Sequence, residues 1–313
     1  MSTSTQQVAI LGAGRWGTAI AHLIGLNGHL VKLWSRSGPL TLKETLADTQ
    51  IIIVAVAIKG VAPTLAALAD LSLPPQSIVV TATKGLDPQS QKTPSQMWGQ
   101  ALPQYPLVVL SGPNLSKEIT AGLPTATVVA SHNFEASQRV QKILASERFR
   151  VYINSDPLGT ELGGTLKNVM AIAAGVCDGL HLGTNAKAAL LTRALPEMVR
   201  VGVALGAQPA TFFGLAGLGD LLATCNSPLS RNYQVGFKLA QGQTLHQIIA
   251  ESEGVAEGIN TTGVLVKIAK TLQISVPITQ QVQELLEGQV TPTLALKNLM
   301  ARDLTTESFL GEL

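Results

Sequence analysis

The first half of the chain alternates short apolar runs with segments of helical spacing. Val8–Leu11 is rich in β-forming residues and stops at Gly12, and Thr18–Leu26 then carries apolar residues at helical intervals. Further runs of strand length follow in this half: Leu30–Trp34, Ile51–Val56, Ile78–Thr81, Leu107–Leu110 and Thr127–Ala130. Strands that alternate with helices favour right-handed βαβ crossovers and a mainly parallel sheet.

The pattern changes after about residue 155, where long helical segments replace the strand-length runs. These segments are Leu158–Val176, Asn185–Leu205, Ser230–Gln241 and Glu257–Leu272. No convincing strand run follows residue 155. The sequence therefore predicts an α/β domain over residues 1–155 and an all-α domain over residues 156–313.

Composition and charge narrow the class of protein. The 313 residues are 46% hydrophobic, and 22 Lys and Arg balance 20 Asp and Glu, which argues against nucleic-acid binding. No apolar run has the length of about 18 residues that a membrane span needs. The N-terminus lacks the regions of a signal peptide, so we expect a cytoplasmic protein. Cys177, Cys225 and the five histidines show no metal-like spacing, and we expect no metal.

A glycine motif, Gly12-Ala13-Gly14-Arg15-Trp16-Gly17, lies between the first predicted strand and the first predicted helix. In that context G-x-G-x-x-G is typical of a Rossmann-type dinucleotide site. Gly12 permits the tight turn, Gly14 lets a pyrophosphate approach the backbone, and Gly17 lets helix and strand pack closely. The N-terminus of the helix then faces the pyrophosphate. The alternative is a structural turn that binds no ligand.

The end of the second predicted strand bears on the choice of dinucleotide. An NAD-selective site carries an acidic residue there, whereas this chain has Trp34-Ser35-Arg36-Ser37. The guanidinium of Arg36 can pair with a 2′-phosphate, which favours NADP over NAD. The alternative is that Arg36 is a solvated surface arginine.

Two further strands are followed by polar residues. Lys84 comes just after Ile78–Thr81, so it projects from the carboxyl end of a strand, where parallel sheets bind their ligands. Ser111-Gly112-Pro113-Asn114 follows another strand, with Asn114 or Ser116 predicted to cap the next helix. A surface role for Lys84 is the alternative.

Three polar positions also occur in the apolar second half. Lys167 lies in a strongly apolar helix, where it either snorkels to water or is partly desolvated in a cleft and suited to acid–base work. Asp220 is the one charge in the glycine-rich segment 214–222, which predicts an irregular backbone. Ser230-Arg231-Asn232 begins a predicted helix, and Arg231 offers a fork for a phosphate. Alternatively, Ser230 is an N-cap and Asp220 a loop carboxylate.

Six short segments along the chain are more specific taken together, in their order and spacing, than any one of them alone. They are Ala82-Thr83-Lys84-Gly85, Ser111-Gly112-Pro113, Leu166-Lys167-Asn168, Gly217-Leu218-Gly219-Asp220, Ser230-Arg231-Asn232 and Glu253-Gly254-Val255-Ala256-Glu257-Gly258. Together they resemble the NAD(P)-dependent glycerol-3-phosphate dehydrogenases of the bacterial type. The resemblance implies reversible reduction of dihydroxyacetone phosphate to sn-glycerol 3-phosphate, which supplies the backbone of glycerophospholipids.

The resemblance also implies roles for individual residues. Lys167 matches the catalytic lysine. The positions that match substrate contacts are Lys84, Gly112, Asn114, Lys167, Asn168, Asp220, Thr224, Ser230, Arg231 and Asn232. The positions that match dinucleotide contacts, with the motif glycines, are Gly12, Gly14, Arg15, Trp16, Gly17, Arg36, Lys84, Ser116, Arg231, Val255 and Glu257.

The chain departs from the family pattern in two places. The connection from Arg36 to Ile51 is shorter than usual, and Ala57-Ile58-Lys59 stands where the family has a proline and a small polar residue. Two alternatives to the family's activity stay open at this point: another two-domain reductase of the ketopantoate or 3-hydroxyacid type, and a catalytically silent NADP-binding regulator. The oligomeric state is open as well, with a homodimer as one alternative.

Overall fold

The computed structural model of the protein describes residues 5–252 and 254–304. The chain forms two compact units. One runs through Lys84 and continues over Lys92–Glu161, and the other comprises Gly85–Gln91 and the chain from Leu162 onward.

The first unit is built on a seven-stranded sheet with the order β2-β1-β3-β4-β5-β6-β7. Its strands are β1 Gln7–Leu11, β2 Leu30–Trp34, β3 Ile51–Val54, β4 Ile78–Thr81, β5 Leu107–Ser111, β6 Thr125–Ala130 and β7 Phe149–Asn154. Every neighbouring pair is parallel except β5 and β6, which are antiparallel. The mainly parallel α/β sheet predicted from the sequence is therefore confirmed.

Helices cover both faces of this sheet, which explains why β3 and β4 are buried at every position and apolar at every position except Thr81. On one face Ile10 and Ile53 pack in a cluster with Ile20 of a helix, and on the other face Ile52 packs in a cluster with Trp98. The helices of this unit are α1 Arg15–Leu26, α2 Leu42–Leu46, α3 Ile58–Leu68, α4 Pro94–Ala101, α5 Ser116–Thr120 and α6 Phe134–Leu144.

Two details of the sheet differ from the sequence-based expectation. The predicted strand Ile51–Val56 ends at Val54, because the chain leaves the sheet there to start α3 after Ala57. The last strand, β7, was not predicted. It lies at the edge of the sheet, where exposed Arg150 and Tyr152 alternate with buried residues, so it lacks the continuous apolar run of the central strands.

The second half of the chain is helical, and no strand lies among its described residues from Pro157 to Leu304. Its helices are α7 Pro157–Gly179, α8 Gly183–Ala204, α9 Asp220–Cys225, α10 Arg231–Ala240, α11 Leu245–Glu251, α12 Glu257–Leu272, α13 Pro277–Leu286 and α14 Pro292–Met300. The four long helical segments predicted from the sequence correspond to α7, α8, α10 and α12. The all-α second half is thereby confirmed.

The glycine-rich segment before α9 is more regular than its composition indicated. A 3₁₀ turn at Pro209–Phe213 leads into a π-helical turn at Leu215–Gly219, which continues directly into α9. Glycine allows this turn to pack closely on the preceding segment, because a Cβ on Gly217 would lie 2.0 Å from the carbonyl oxygen of Phe212. The irregular loop predicted here is thus a helical turn of unusual pitch.

Candidate active site

The glycine motif joins β1 to α1 and contacts the end of β3. Gly12 has φ +119°, and a Cβ there would lie 2.7 Å from the carbonyl carbon and oxygen of Ala55. A Cβ on Gly17 would lie 1.8 Å from the Gly12 carbonyl oxygen. Both glycines are therefore required by the protein's own packing.

Gly14 differs from the other two glycines because a Cβ there would meet nothing within 4 Å. It is the N-cap of α1, and it offers no side chain to bond the N–H groups of the first turn. The N-terminus of this 12-residue helix thus faces open space in front of a glycine. Such an arrangement fits an anionic group such as a pyrophosphate.

The order of the strands places this motif at a topological switch point. β1 pairs with β2 on one side and with β3 on the other, so the segments that follow these strands diverge at the carboxyl edge of the sheet. Arg36 is exposed two residues after β2, and Trp16 packs against the core under the motif. Arg15 is exposed in the first turn of α1.

The shortened connection after Arg36 is ordered. Thr41 caps α2 in a capping box with Glu44, and Lys32 donates 2.9 Å hydrogen bonds to the carbonyl oxygens of Glu44 and Ala47. The connection between β2 and β3 therefore contains a short capped helix, α2.

Lys84 and the segment after β5 lie together in the first unit. The Nζ of Lys84 donates a 3.2 Å hydrogen bond to the carbonyl oxygen of Gly112. The Nδ2 of Asn114 donates to Thr127 Oγ1 at 2.9 Å, and that hydroxyl donates to the Ser111 carbonyl oxygen at 2.9 Å. The buried Oδ1 of Asn114 has no hydrogen-bond partner, which leaves an acceptor ready for a ligand donor.

The predicted cap of the following helix is wrong. The N-cap of α5 is Leu115, whose side chain makes no cap hydrogen bond, and Ser116 is the first residue of the helix. Asn114 cannot cap it because its amide is turned to Thr127 instead.

Lys167 lies in the middle of α7 and is only 7% exposed. Its Nζ donates a 2.5 Å hydrogen bond to Thr224 Oγ1 and lies 3.0 Å from Asp220 Oδ1. Thr224 in turn donates to Asp220 Oδ1 at 3.2 Å. Of the two alternatives for Lys167, the structure therefore excludes a side chain that extends to water. The lysine instead forms a buried ion pair with Asp220 of α9.

Cys225 follows Thr224 and is fully buried. The pKa of its thiol is raised to about 12, mainly by burial; the charges of Lys167 and Lys187 oppose this shift, and the carboxylates of Asp220 and Asp178 add to it. The thiol is therefore neutral and does not compete as a nucleophile beside the lysine.

A second set of residues joins α7, α10 and α12. The Nδ2 of Asn232 donates to Asn168 Oδ1 at 2.8 Å, while Asn232 Oδ1 accepts from the Gly258 N–H at 2.9 Å. Ser230 caps α10 by accepting from the Tyr233 N–H at 3.2 Å, so its role as an N-cap is confirmed.

Arg231 is exposed at the first position of α10. Its guanidinium lies against Gly254, where a Cβ would be 2.6 Å from Nη1. Val255 is 45% exposed, and Glu257 begins α12. The structure thus brings Arg231 close to the segment that carries Val255 and Glu257, whereas Glu253 lies outside the described residues.

Sequence reasoning missed several groups around these sites. Thr165 Oγ1 accepts from the Gly85 N–H at 3.1 Å, and Asn260 Nδ2 donates to the Leu86 carbonyl oxygen at 2.9 Å. These bonds hold the two residues that follow Lys84 in the chain. Thr165 lies 80 positions from Gly85 in the chain, and Asn260 lies 174 positions from Leu86, so no local sequence pattern could have indicated these two hydrogen bonds.

Glu161, also missed, is buried at the start of α7. It accepts from the N–H and the hydroxyl of Ser95 at 2.9 and 2.5 Å. Burial raises the pKa of this carboxyl to about 7, against the opposing effect of the Ser95 and Thr93 hydrogen bonds. A glutamate in an apolar helix was the one sequence feature that could have drawn attention to it.

The chain matches two family models. The description of the first is NAD-dependent glycerol-3-phosphate dehydrogenase N-terminus, over residues 7–42 and 39–137. That of the second is NAD-dependent glycerol-3-phosphate dehydrogenase C-terminus, over residues 156–297. No helix among the described residues has the length and apolar character to cross a membrane.

Curated relatives and solved structures are similar over nearly the whole chain. A Synechococcus sp. (strain JA-3-3Ab) protein named glycerol-3-phosphate dehydrogenase [NAD(P)+] is 61% identical over 98% of this chain and 99% of its own length. A Synechocystis sp. protein of the same name is 58% identical over 96% of this chain and 95% of its own length. The crystal structure of glycerol-3-phosphate dehydrogenase from Coxiella burnetii superposes with a TM-score of 0.91 at 34% identity, covering 95% of this chain and 99% of that chain.

Proposed function

Since this chain belongs to the NAD-dependent glycerol-3-phosphate dehydrogenase family, as its sequence predicted, we propose that it reduces dihydroxyacetone phosphate to sn-glycerol 3-phosphate with NADPH in preference to NADH. The observation that carries the proposal is the buried Lys167, whose Nζ is held 3.0 Å from Asp220 and 2.5 Å from Thr224. The reaction is reversible and supplies the backbone of glycerophospholipids. A cytoplasmic location and a homodimer stay predictions.

The glycine motif fits a dinucleotide. Gly14 leaves open space before the N-terminus of α1, so the backbone there can receive a pyrophosphate without a clash. When bound, the nicotinamide of the dinucleotide supplies the hydride for the carbonyl carbon of the substrate. Besides the three motif glycines, the residues proposed to hold the dinucleotide are Arg15, Trp16, Arg36, Lys84, Ser116, Arg231, Val255 and Glu257.

The proposed role of Lys167 follows from its surroundings. Negative charge develops on the carbonyl oxygen of the substrate, and an ammonium at Nζ stabilises that charge and donates the proton. Asp220 lies 3.0 Å away and keeps the buried ammonium paired, while Thr224 fixes its direction through a 2.5 Å hydrogen bond. A buried charge without such partners would be strongly destabilising.

The substrate phosphate is assigned to the N-terminal end of α10. Arg231 offers a planar fork of donors, which suits a phosphate better than a lysine would. Ser230 and Asn232 flank it, and the bonds of Asn232 to Asn168 and Gly258 fix the start of the helix. In the first unit, Lys84, Gly112 and Asn114 are proposed to complete the substrate contacts, with the unpaired Asn114 Oδ1 accepting from a hydroxyl.

The preference for NADPH rests on Arg36. It stands exposed just past β2, where an NAD-selective site carries a carboxylate, and no carboxylate occupies residues 34–37. A guanidinium there attracts a 2′-phosphate, which a carboxylate would repel.

The experiment that tests the function measures the loss of NADPH absorbance with a panel of carbonyl substrates. We expect turnover with dihydroxyacetone phosphate and far less with unphosphorylated dihydroxyacetone, ketopantoate or a 3-oxoacid. A preference for ketopantoate or the 3-oxoacid would favour the other two-domain reductases. NADPH binding, detected by its fluorescence, without turnover of any substrate would instead indicate a silent regulator.

A further inference from the structure

Lys167 and Gly163 lie one helical turn apart on the same face of α7. The partner of Lys167, Asp220, is the first residue of α9 and directly follows the π-helical turn Leu215–Gly219. The π-helix is rare and is frequent at functional sites. The lysine and its carboxylate are thus carried by α7 and by this turn, and their separation depends on how closely the two backbones approach.

The backbone of α7 touches the backbone of the π-helical turn at Gly163. A Cβ on Gly163 would lie 2.6 Å from the carbonyl oxygen of Ala216 and 3.1 Å from the Cα of Gly217. Both neighbours are main-chain atoms, which cannot rotate away as the end of a long side chain can. No residue larger than glycine fits at position 163 unless the turn moves.

The other side of the turn is blocked as well. A Cβ on Gly217 would lie 2.0 Å from the carbonyl oxygen of Phe212, and Phe212 is completely buried. The ring of Phe212 rests in turn on Gly202 of α8, where a Cβ would lie 2.1 Å from Cζ. The π-helical turn is therefore packed closely against both α7 and the Phe212 segment, so that it moves only at the expense of these contacts.

We propose that Gly163 is a positioning residue that sets the separation of Lys167 and Asp220. The inference rests on the proposed function, in which Lys167 donates the proton. Close contact at Gly163 places Asp220 Oδ1 3.0 Å from Lys167 Nζ. An added methyl group at position 163 would push the turn toward an ordinary contact of 3.4 Å and carry Asp220 with it.

The variant Gly163→Ala tests this directly. We expect kcat for dihydroxyacetone phosphate to fall by about 10- to 100-fold, because displacements of this size disturb the geometry of reacting groups. The affinity for NADPH, measured by fluorescence, should be unchanged. The matched control is Gly263→Ala in α12, where a Cβ would make an ordinary 3.5 Å contact with the side chain of Gln283, and its kcat should stay at the wild-type value.

A double-mutant cycle separates positioning from general packing. In an Asp220→Asn background the carboxylate is already absent, so Gly163→Ala should lower kcat by less than about twofold more. A merely structural role would give the same loss of kcat in both backgrounds and would overturn the inference.

A second variant covers the case in which Gly163→Ala does not fold. If the backbone contact fixes the separation, the longer side chain of Asp220→Glu cannot be accommodated, and kcat should fall by at least about 10-fold. Wild-type kcat in Asp220→Glu would show that the separation adapts, which would contradict the proposal.

A crystal structure of ligand-free Gly163→Ala gives a readout independent of turnover. The distance from Lys167 Nζ to Asp220 Oδ1 should exceed the 3.0 Å of the wild type, and an unchanged distance would overturn the inference. Failure of the wild-type protein to turn over dihydroxyacetone phosphate would instead overturn the proposed function and leave this distance measurement standing.

Discussion

Asn232 and Asn168 join two helices through a buried side-chain hydrogen bond of 2.8 Å. Each follows a residue with a proposed role in the reaction, Arg231 on α10 and Lys167 on α7. The amide of Asn232 is oriented because its oxygen accepts from the Gly258 N–H, which turns Nδ2 toward Asn168. One side chain thus ties the residue proposed to bind phosphate to the residue proposed to transfer the proton.

The variant Asn232→Asp keeps the shape of the side chain and removes the donor. Two oxygens would then face each other across 2.8 Å, and an unpaired buried group costs about 1–3 kcal/mol of unfolding free energy. We expect this loss in urea unfolding, together with a raised KM for dihydroxyacetone phosphate. The control Asn226→Asp replaces an exposed asparagine at the end of α9 and should cost far less. Equal losses in both variants would contradict the account of Asn232.

The variant Arg231→Lys keeps the charge and loses the planar fork. We expect the ratio of kcat/KM for dihydroxyacetone phosphate to that for unphosphorylated dihydroxyacetone to fall, because a lysine binds phosphate as a point charge. Arg193→Lys, at an exposed position of α8, should leave that ratio unchanged. A ratio that stays at the wild-type value in Arg231→Lys would remove Arg231 from the phosphate site.

Arg36→Ala tests the choice of dinucleotide. Charge-assisted hydrogen bonds contribute about 1.5–3 kcal/mol, and each 1.4 kcal/mol is tenfold, so wild-type kcat/KM should favour NADPH over NADH by about ten- to a hundredfold. Because Arg36 is exposed, we expect the lower end of that range. The substitution should abolish the preference, while Lys142→Ala, at an exposed cation on α6, should keep it. Equal use of both dinucleotides by the wild type would show that Arg36 is a surface charge only.

The buried carboxyl of Glu161 should make the free energy of unfolding depend on pH. Burial raises its pKa to about 7 in the folded protein, from 4.5, so between these values the folded state holds a proton that the unfolded state has lost. The contribution of this group to stability is therefore present below pH 4.5 and is lost as the pH rises through the folded pKa. Over this pH range the free energy of unfolding should fall by up to about 3 kcal/mol.

The measurement compares unfolding free energies of the wild type and Glu161→Gln across this pH range. Stability of the wild type should fall relative to the variant as the pH rises, because glutamine does not titrate. Glu135→Gln, at an exposed position of α6, should give a constant difference from the wild type. A constant difference for Glu161→Gln as well would mean that its carboxyl does not titrate in this range.

The central strands and the long helices could be predicted from the sequence because their apolar patterns are local. Ile51–Val54 and Ile78–Thr81 are apolar or buried throughout, as strands covered on both faces must be. The edge strand β7 could not be found in this way, since its exposed Arg150 and Tyr152 interrupt the apolar run. The prediction that Asn114 caps a helix failed for a different reason. Its amide donates a hydrogen bond to Thr127 of β6, and capping preferences, which are local in sequence, do not include such a contact.

Residues of the candidate site could be predicted where a reactive or charged side chain stands out within a short stretch of sequence. Lys167 and Asp220 stand out as charges in apolar surroundings, and the structure pairs them at 3.0 Å. Thr165 and Asn260 do not stand out, because their importance arises only from the distant backbone groups that they bond. Gly163 likewise shows its role only once the neighbouring turn is in place.

The central claim is that Lys167 acts in the chemical step, and Lys167→Ala tests it most directly. Steady-state kinetics with dihydroxyacetone phosphate should show kcat reduced by about 10²–10⁴-fold, the usual effect of removing an acid–base group. NADPH binding, followed by fluorescence, should survive the substitution. A variant that kept the wild-type kcat and showed only a raised KM would contradict the account, because Lys167 would then contribute to binding alone.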